Sequence, residues 1–285
     1  MTGFSSGWLG LREPIDHASR SVAVRNAMLG ELRRVHGRSL SRLNVVDIGC
    51  GTGSNLRAVA PLLGREQSWR LVDNDPILLE AARHAISGWA DMVLEDTTSS
   101  LTVRKGVCEI QVAFVAADLA ENVEAVQGMF EADLLTASAL FDLVSASWLT
   151  TFCERLSCPL YTVLTYDGRM QWTPVHPLDV EVVEAFNAHQ LTDKGFGPAA
   201  GWQAVSILEQ QLTRKGMVVV KGDSTWHLEA GDARLHHQLL QGVAAAAGKM
   251  HQLGMPDIND WLAFRLDSTS GSIGHLDLFA AGQSS

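Results

Sequence analysis

The β-branched run Asn44-Val45-Val46-Asp47-Ile48 stops at Gly49-Cys50-Gly51-Thr52-Gly53, and a segment with Leu56, Val59 and Leu63 in helical register follows. That order of strand, glycine-crowded turn and helix constrains the fold more than any other feature of the chain. A turn short of β-carbons lets backbone approach a ligand closely, and the helix start behind it offers N–H groups with no intrahelical partner. Pro61 falls inside the helical segment and is expected to bend or shorten it.

A second unit repeats the plan. Arg70-Leu71-Val72 reads as a strand, Asp75 suits a helix cap, Pro76 suits the first helical position, and Leu79, Ala82 and Ile86 form a buried stripe. Residues 87–106 turn polar and small, and read as an insertion or hairpin with a surface turn at Thr97-Thr98-Ser99-Ser100 and a short strand over Leu101 to Arg104. Ile110 to Val115 is the next strand, Asp118 follows it, and Val123, Val126, Phe130 and Leu134 predict one side of a helix. The runs Phe141 to Ser147 and Leu160 to Thr165 supply the fourth and fifth strands. Beyond them come a helical region from Leu178 to Leu212 broken near Gly195-Phe196-Gly197-Pro198, a strand over Met217 to Val220, a helix around Ala233 to Met250, and a strand over His275 to Ala280. Upstream, Val24, Met28, Leu32 and Val35 predict one helix over His17 to Val35. Alternating helices and nearly continuous apolar strands mean an α/β three-layer sandwich, with a mainly parallel sheet covered on both faces. A chain of 285 residues, 46% hydrophobic, can bury one sizeable core, so one compact domain over residues 41–285 is expected behind a helical segment 1–40.

Charge narrows the partners. The formal net charge is -10 with Lys and Arg scattered, so neither a phosphate backbone nor an anionic membrane is expected as a partner. Met1 to Leu11 holds no basic stretch ahead of an apolar run, and Cys50, Cys108, Cys153 and Cys158 lack both the paired spacing of a zinc site and the density of a disulfide scaffold. The expected location is the cytoplasm. His236-His237 are adjacent, hence on different helix faces, so no metal is expected. Oligomeric state is left open.

Two cofactor classes compete for the glycine turn. The dinucleotide fingerprint G-x-G-x-x-G needs its third glycine where Ser54 stands, an extra glycine sits at Gly53, and no basic residue in Gly49 to Ser54 could meet a pyrophosphate. With Asp47 two residues ahead of Gly49, Val45-Val46-Asp47-Ile48-Gly49-Cys50-Gly51-Thr52-Gly53 closely resembles the first motif of class I, Rossmann-like methyltransferases that use S-adenosylmethionine. The resemblance extends over roughly Leu43 to Leu149. It implies a seven-stranded sheet whose last strand, His275-Leu276-Asp277-Leu278-Phe279, runs antiparallel. Further implied are S-adenosylmethionine as cofactor, Asp73 at the end of the second strand for the ribose hydroxyls, and Asp118 after the third strand for the adenine. A carboxylate suits both tasks, since it accepts two hydrogen bonds from a diol or one from an amino group. In many such methyltransferases an N-terminal segment covers the cofactor as a lid, a role that falls here to residues 1–40, with Trp8 to Pro14 leading into a helix that carries Arg20. The guanidinium of Arg20 could hold the methionine carboxylate. The expected cofactor set is therefore Arg20, Asp47, Gly49, Cys50, Gly51, Gly53, Asp73, Asn74, Asp118, Leu119 and Ser145. Competing with it, Asp73 reads as part of a capped turn, Asp118 as a helix-start residue and Arg20 as a solvated helix arginine.

In an open α/β sheet the acceptor should lie beyond the carboxyl ends of the fourth and fifth strands, near Ser145 to Thr150 and Tyr166 to His176. Asp167 or His176 could take a proton, Arg169 could hold an acidic group, and Trp148, Tyr166 and Trp172 could pack on a ring. Against this, Asp167-Gly168 also reads as a hairpin turn and His176 as a surface histidine. The segment Asp193 to Pro198 reads as a mobile loop over the acceptor or as a plain connection. The leading reading is a methyltransferase acting on a small molecule at oxygen, nitrogen or carbon. Two alternatives stay open: an NAD(P)-dependent oxidoreductase, disfavoured by Ser54 and by the lack of Tyr-x-x-x-Lys, and a methyltransferase-like protein that binds the cofactor without catalysis.

Overall fold

Two helices stand where one was expected: α1 (Ser6–Ser19) and α2 (Val22–His36) part at Arg20 and Ser21. The structure, a computed structural model, describes residues 5–37, 40, 42–123, 126–267 and 270–282. The joint between the helices is tied to the sheet from the far end of the sequence, because the Ser21 N–H donates to Asp277 Oδ2 at 2.8 Å. Val24, Met28 and Leu32 are buried as their spacing implies, but Val35, in the last turn of α2, is 54% exposed.

The βα alternation then proceeds as read. β1 (Arg42–Ile48) leads through the glycine turn into α3 (Ser54–Val59), which Pro61 tightens into a 3-10 turn over Ala60–Leu62. β2 (Glu66–Asp73) leads into α4 (Pro76–Trp89), where the Asp75 carboxylate accepts from Ile77 N at 2.8 Å, a cap worth about 1 kcal/mol. The insertion is the expected hairpin, β3 (Met92–Asp96) and β4 (Ser100–Lys105), and β5 (Cys108–Ala116) follows.

Between β5 and the next strand the prediction fails. Described residues from Ala117 to Asp133 form turns instead of a helix, and the expected position Leu134 opens β6 (Leu134–Ser138), the true fourth strand. Arg70 explains part of this, since its guanidinium donates to the carbonyls of Gln127 and Gly128, oxygens a helix would need for itself. Phe141 to Ser147, expected as that strand, is a buried turn running into α5 (Ala146–Arg155). A short apolar run does not distinguish strand from buried turn by periodicity, and Ala139 in the left-handed region at φ 51° ends the strand before it.

β7 (Leu160–Thr173) is also longer than expected, and carries Tyr166 to Trp172 within the strand, not in a loop after it. The remaining elements are α6 (Asp179–Gln190), α7 (Ala204–Arg214), β8 (Met217–Asp223), β9 (Trp226–Leu228), α8 (Ala233–Gly248), α9 (Met255–Leu266) and β10 (Ser270–Gly282). Neither β9 nor α9 was foreseen.

The strand order is β3-β4-β5-β2-β1-β6-β7-β10-β8, with β9 paired to β10. β5, β2, β1, β6 and β7 are parallel, whereas β10 runs antiparallel to both β7 and β8. Seven of these strands make the expected Rossmann-like sheet with its antiparallel last strand. The described residues hold ten, because the β3–β4 hairpin extends one edge and β9 adds to β10. Apolar clusters fill both faces, one under α2, α3 and α4, the other under α5 and α7, which completes the three layers. Beyond the parallel strands β7 and β10 continue as an arm that β9 joins along β10, and α6, α8 and α9 pack around it through Val182, Leu240 and Trp261.

Candidate functional site

At the carboxyl end of β1 three glycines hold left-handed backbone: Gly49 at φ 61°, Gly51 at φ 52° and Gly53 at φ 73°. Side chains there would also collide, since a β-carbon on Gly49 would lie 2.9 Å from Leu140 and one on Gly51 3.0 Å from Leu9 of α1. The turn is pinned from the next strand: Cys50 N donates to the Val72 carbonyl at 3.1 Å, and Gly51 N to Asp73 Oδ2 at 2.8 Å. Burial pushes the Cys50 thiol up, so the sulfur is a neutral packing group.

Helix α1 roofs this turn. Besides Leu9, it contributes His17, whose Nε2 lies 3.0 Å from Ser54 Oγ, and Glu13, which pairs with Arg57 while Arg57 Nη1 donates to the Thr52 carbonyl at 2.7 Å. The predicted lid segment therefore touches the glycine turn through α1, whereas α2 packs on β8 and β10.

Beneath the turn sits a polar cluster inside the apolar core. Asp47, wholly buried, accepts from Asn55 Nδ2 at 2.7 Å, and Arg20 Nη1 donates to Asn55 Oδ1 at 2.7 Å. Asn55 also donates to Thr136 Oγ1 at 2.9 Å, and strand register sets Asp47 beside Thr136. This network is incomplete among the described residues: Asp47 Oδ2 and the Nε and Nη2 of Arg20 are buried with no close hydrogen-bond partner, although the Arg20 guanidinium also lies against the Tyr161 hydroxyl. Burial raises the Asp47 carboxyl to about 7, against the Asn55 hydrogen bond and the Arg20 charge. Arg20 is thus a buried side chain, not a solvated helix arginine. Asn55, which links it to Asp47, was not foreseen.

The other expected cofactor residues divide. Asp73 accepts from Gly51 N and, at 3.0 Å, from Asp75 N; burial raises its carboxyl, against the hydrogen bonds from Asp75 and Gly51. Asn74 beside it is exposed. Asp118 is exposed and accepts from Ala120 N at 2.8 Å, while the Leu119 carbonyl accepts from Trp148 Nε1 at 2.7 Å. Trp148 packs between Phe152 and Phe196, buried, and braces the 117–120 turn through its indole N–H. Ser145 is the cap of α5, its hydroxyl accepting from Trp148 N.

On the acceptor side, Asp167 is paired with Arg169, which also donates to Asp223 Oδ1 at 3.2 Å. His176 lies tilted against Phe264, ring centroids 4.9 Å apart, and its Nδ1 accepts from Leu178 N at 3.2 Å. Trp172 is buried edge-on to Trp261. The Tyr166 hydroxyl donates to Asn187 Oδ1 at 2.8 Å.

Tyr166 also belongs to a cluster that sequence reasoning missed. His275 of β10 lies 6.2 Å from its ring and 4.9 Å from the Trp226 ring, and Arg12 of α1 stands 5.0 Å over Trp226. Asp142, in the turn after β6, completes the group: the peptide N–H groups of Asp142 and Tyr166 bond its carboxylate, and burial raises it to about 6 despite them and Arg12. Burial, and the Arg12 charge, lower His275 to about 3, so its ring is neutral. Asp142 Oδ1, His275 Nδ1 and Trp226 Nε1 are buried without hydrogen-bond partners. A lone Asp in the apolar stretch Ala137 to Val144 was the one available signal.

No family model matches the chain, and no curated protein matches it in sequence. Solved structures do. A cyclopropane-fatty-acyl-phospholipid synthase-like protein from Lactobacillus casei aligns at a TM-score of 0.50 and 10% identity over 95% of this chain and 99% of that one. The cyclopropane synthase MmaA2 from Mycobacterium tuberculosis aligns at 0.48 and 13% over 96% and 94%. A magnesium protoporphyrin IX methyltransferase from Synechocystis, solved with bound S-adenosylhomocysteine, aligns at 0.44 and 14% over 79% and 84%. At these identities the likeness to the first of them is one of fold alone, the Rossmann-like α/β sheet that the strand order also describes.

Proposed function

We propose that this protein is an S-adenosylmethionine-dependent methyltransferase acting on a small-molecule acceptor. The observation that carries the reading is the unfinished Asp47–Asn55–Arg20 network below the glycine turn. Its spare carboxylate oxygen and its spare guanidinium nitrogens are complementary to a ligand bearing both an ammonium and a carboxylate. A pyrophosphate finds no such welcome, since Asp47 and Asp73 both stand at the turn and the nearby Arg57 is spent on Glu13 and Thr52. The nicotinamide alternative is disfavoured on the same ground.

The amino-acid end of S-adenosylmethionine would be held by Arg20 and Asp47, its backbone approach made by Gly49, Gly51 and Gly53, its ribose hydroxyls by Asp73, and its adenine by Asp118 and Leu119. Bound there, the cofactor supplies an electrophilic methyl group on a sulfonium. Around it the chain's own part is positioning and exclusion of water: α1 closes on the turn through Leu9, and Trp148 braces the adenine side. Among the described residues no helix is long and apolar enough to cross a membrane, and the four cysteines are free and buried, in keeping with a cytoplasmic enzyme.

Calorimetric titration with S-adenosylmethionine, S-adenosylhomocysteine and NAD tests the reading. Binding of the adenosyl compounds and not NAD is expected; NAD binding alone would overturn it. Release of S-adenosylhomocysteine on turnover then separates an enzyme from a non-catalytic binder.

A further inference from the structure

We infer that Asp142, Tyr166, Trp226, His275 and Arg12 form the methyl-acceptor site, that it takes a neutral aromatic ring carrying a protic O–H or N–H, and that Asp142 receives the proton. The inference rests on the methyltransferase reading and adds to it the acceptor class and the base.

Position comes first. The turn after β6 reaches the glycine turn through Leu140, whose side chain fills the space over Gly49, and Asp142 follows two residues later. From above, α1 spans both places: Leu9 lies on Gly51, and Arg12, one turn further on, stands over Trp226. The cluster and the glycine turn thus share one roof, at the carboxyl ends of the parallel strands where this architecture binds its ligands.

Chemistry then selects the ligand. Arg12 is held bidentately by Asp16, Nε to Oδ2 at 2.8 Å and Nη2 to Oδ1 at 3.2 Å, so among the described residues Asp142 has no ion-pair partner of its own. A buried carboxylate oxygen without a partner costs several kilocalories per mole, and a hydroxyl or ring N–H that donates to it recovers that cost. The indole N–H of Trp226 is uncommitted as well and can meet a second polar atom of the ring. Tyr166, Phe186, Trp226 and His275 pack ring against ring at 4.9–6.2 Å, so the polar atoms are set in aromatic surroundings that favour a planar molecule. An acidic acceptor is opposed by Asp142, and a protonated ammonium has no lone pair to offer the methyl group.

The step balances without an outside reagent. The acceptor heteroatom forms its bond to the methyl carbon as the carbon–sulfur bond breaks, and sulfur keeps that electron pair as a thioether. The proton leaves the acceptor for Asp142 Oδ1 and passes to solvent on product release. Asp167 and His176 are less suited: the first is neutralised by Arg169, and the second has its Nδ1 occupied by Leu178 N.

The test compares wild type with Asp142→Asn, using catechol and 4-nitrocatechol as probes. Affinity for S-adenosylmethionine, read by calorimetry, should be equal within about twofold in both proteins. Catechol should bind the S-adenosylhomocysteine-saturated wild type and bind Asp142→Asn more weakly. Turnover on catechol should fall roughly 10²–10⁴-fold in the variant, and much less on 4-nitrocatechol, whose hydroxyl ionises without help. An equal fall on both probes would make Asp142 merely structural and overturn its role as base. Loss of cofactor affinity in Asp142→Asn would move the residue out of the acceptor site, and wild type that binds S-adenosylmethionine but methylates neither probe would overturn the acceptor class. Failure of wild type to bind S-adenosylmethionine would instead strike the methyltransferase reading beneath it.

Discussion

The two ends of the proposed reaction are built differently. Apart from Arg20, the cofactor side is assembled from neighbours in sequence: Asp47, the three glycines and Asn55 fall within nine consecutive positions, and Asp73 comes one βα unit later. The acceptor side draws Arg12, Asp142, Tyr166, Trp226 and His275 from five separate elements. Both sides bury polar atoms without partners, but the first leaves atoms of opposite charge open, and the second a carboxylate oxygen together with neutral ring nitrogens. The first arrangement suits a ligand of fixed structure. The second is where specificity can vary while the fold stays the same.

Opposite pH slopes should separate the two sides, and this is the largest effect expected. Asp47 is raised from 3.8 to about 7, chiefly by burial, so the folded protein holds that proton more tightly than the unfolded chain. Its contribution is full below pH 4 and lost as pH rises through about 7. His275 is lowered from 6.5 to about 3, also by burial first, so its contribution is full above pH 6.5 and lost as pH falls toward 3. Relative to Asp47→Asn, wild type should lose stability from pH 4 to 7; relative to His275→Asn, it should gain over the same range. Each change is at most about 4 kcal/mol. Denaturant titrations across that range measure both. Saturating S-adenosylhomocysteine, whose ammonium stabilises the Asp47 anion, should flatten the first slope and leave the second. Parallel slopes would break the distinction between the two sides.

Arg20→Met comes next in size. It leaves Asp47 and Asn55 buried without their cation, which costs about 3 kcal/mol, the low end for a broken buried pair because Asp47 can take up a proton. Cofactor affinity should fall with it. A variant as stable as wild type and unchanged in affinity would make Arg20 a bystander and leave the cofactor side resting on the glycine turn alone.

How legible each side was in the sequence follows from the same contrast. The glycine turn, Asp47 and Asp73 could be read because local spacing dictates them: a strand must end, a helix must begin, and the residues between are forced into left-handed backbone. β1, β2, β4, β5, β7, β8 and β10 were readable at least in part from local pattern, β6 was not, and the count of seven in the sheet came from the resemblance. Where the reading failed, long-range contacts had overridden local pattern. Arg70 unmakes the helix expected after β5, Asp277 fixes the break between α1 and α2, and pairing with β10 carries β7 eight residues past Thr165. Displaced strand ends then displaced the acceptor residues, drawing attention to Asp167 and His176 and away from Asp142. His275 was placed in the right strand, yet nothing local marks it as facing Tyr166 and Trp226.

Within the cofactor side, Asp73→Ala should weaken S-adenosylmethionine binding by about 1.5–3 kcal/mol, the scale for hydrogen bonds to a charged group. Part of that loss is indirect, since Asp73 Oδ2 also holds Gly51 N. Calorimetry on the folded variant decides it, and unchanged affinity would reduce Asp73 to the capped turn that its bond from Asp75 N also describes.

Asp118→Ala is the smallest and the most discriminating. Asp73 and Asp118 stand at or just beyond the ends of the adjacent parallel strands β2 and β5, and by residue type alone they look equivalent. Their settings differ: Asp73 is partly buried and clamps the glycine turn, whereas Asp118 is exposed and, among the described residues, bonds its own turn through Ala120 N at 2.8 Å. Truncating Asp118 hands that N–H to water, so stability should stay within about 0.5 kcal/mol of wild type. One hydrogen bond to the adenine amino group would be lost, worth about 0.5–1.5 kcal/mol, or roughly two- to tenfold in affinity. Inosine-ring S-adenosylmethionine, which carries an oxygen in place of that amino group, sharpens the reading. Wild type should discriminate against it, and Asp118→Ala should discriminate less. If the variant keeps full discrimination, the adenine is read elsewhere on the 117–120 turn, with the backbone around Leu119, braced by Trp148, as the remaining contact.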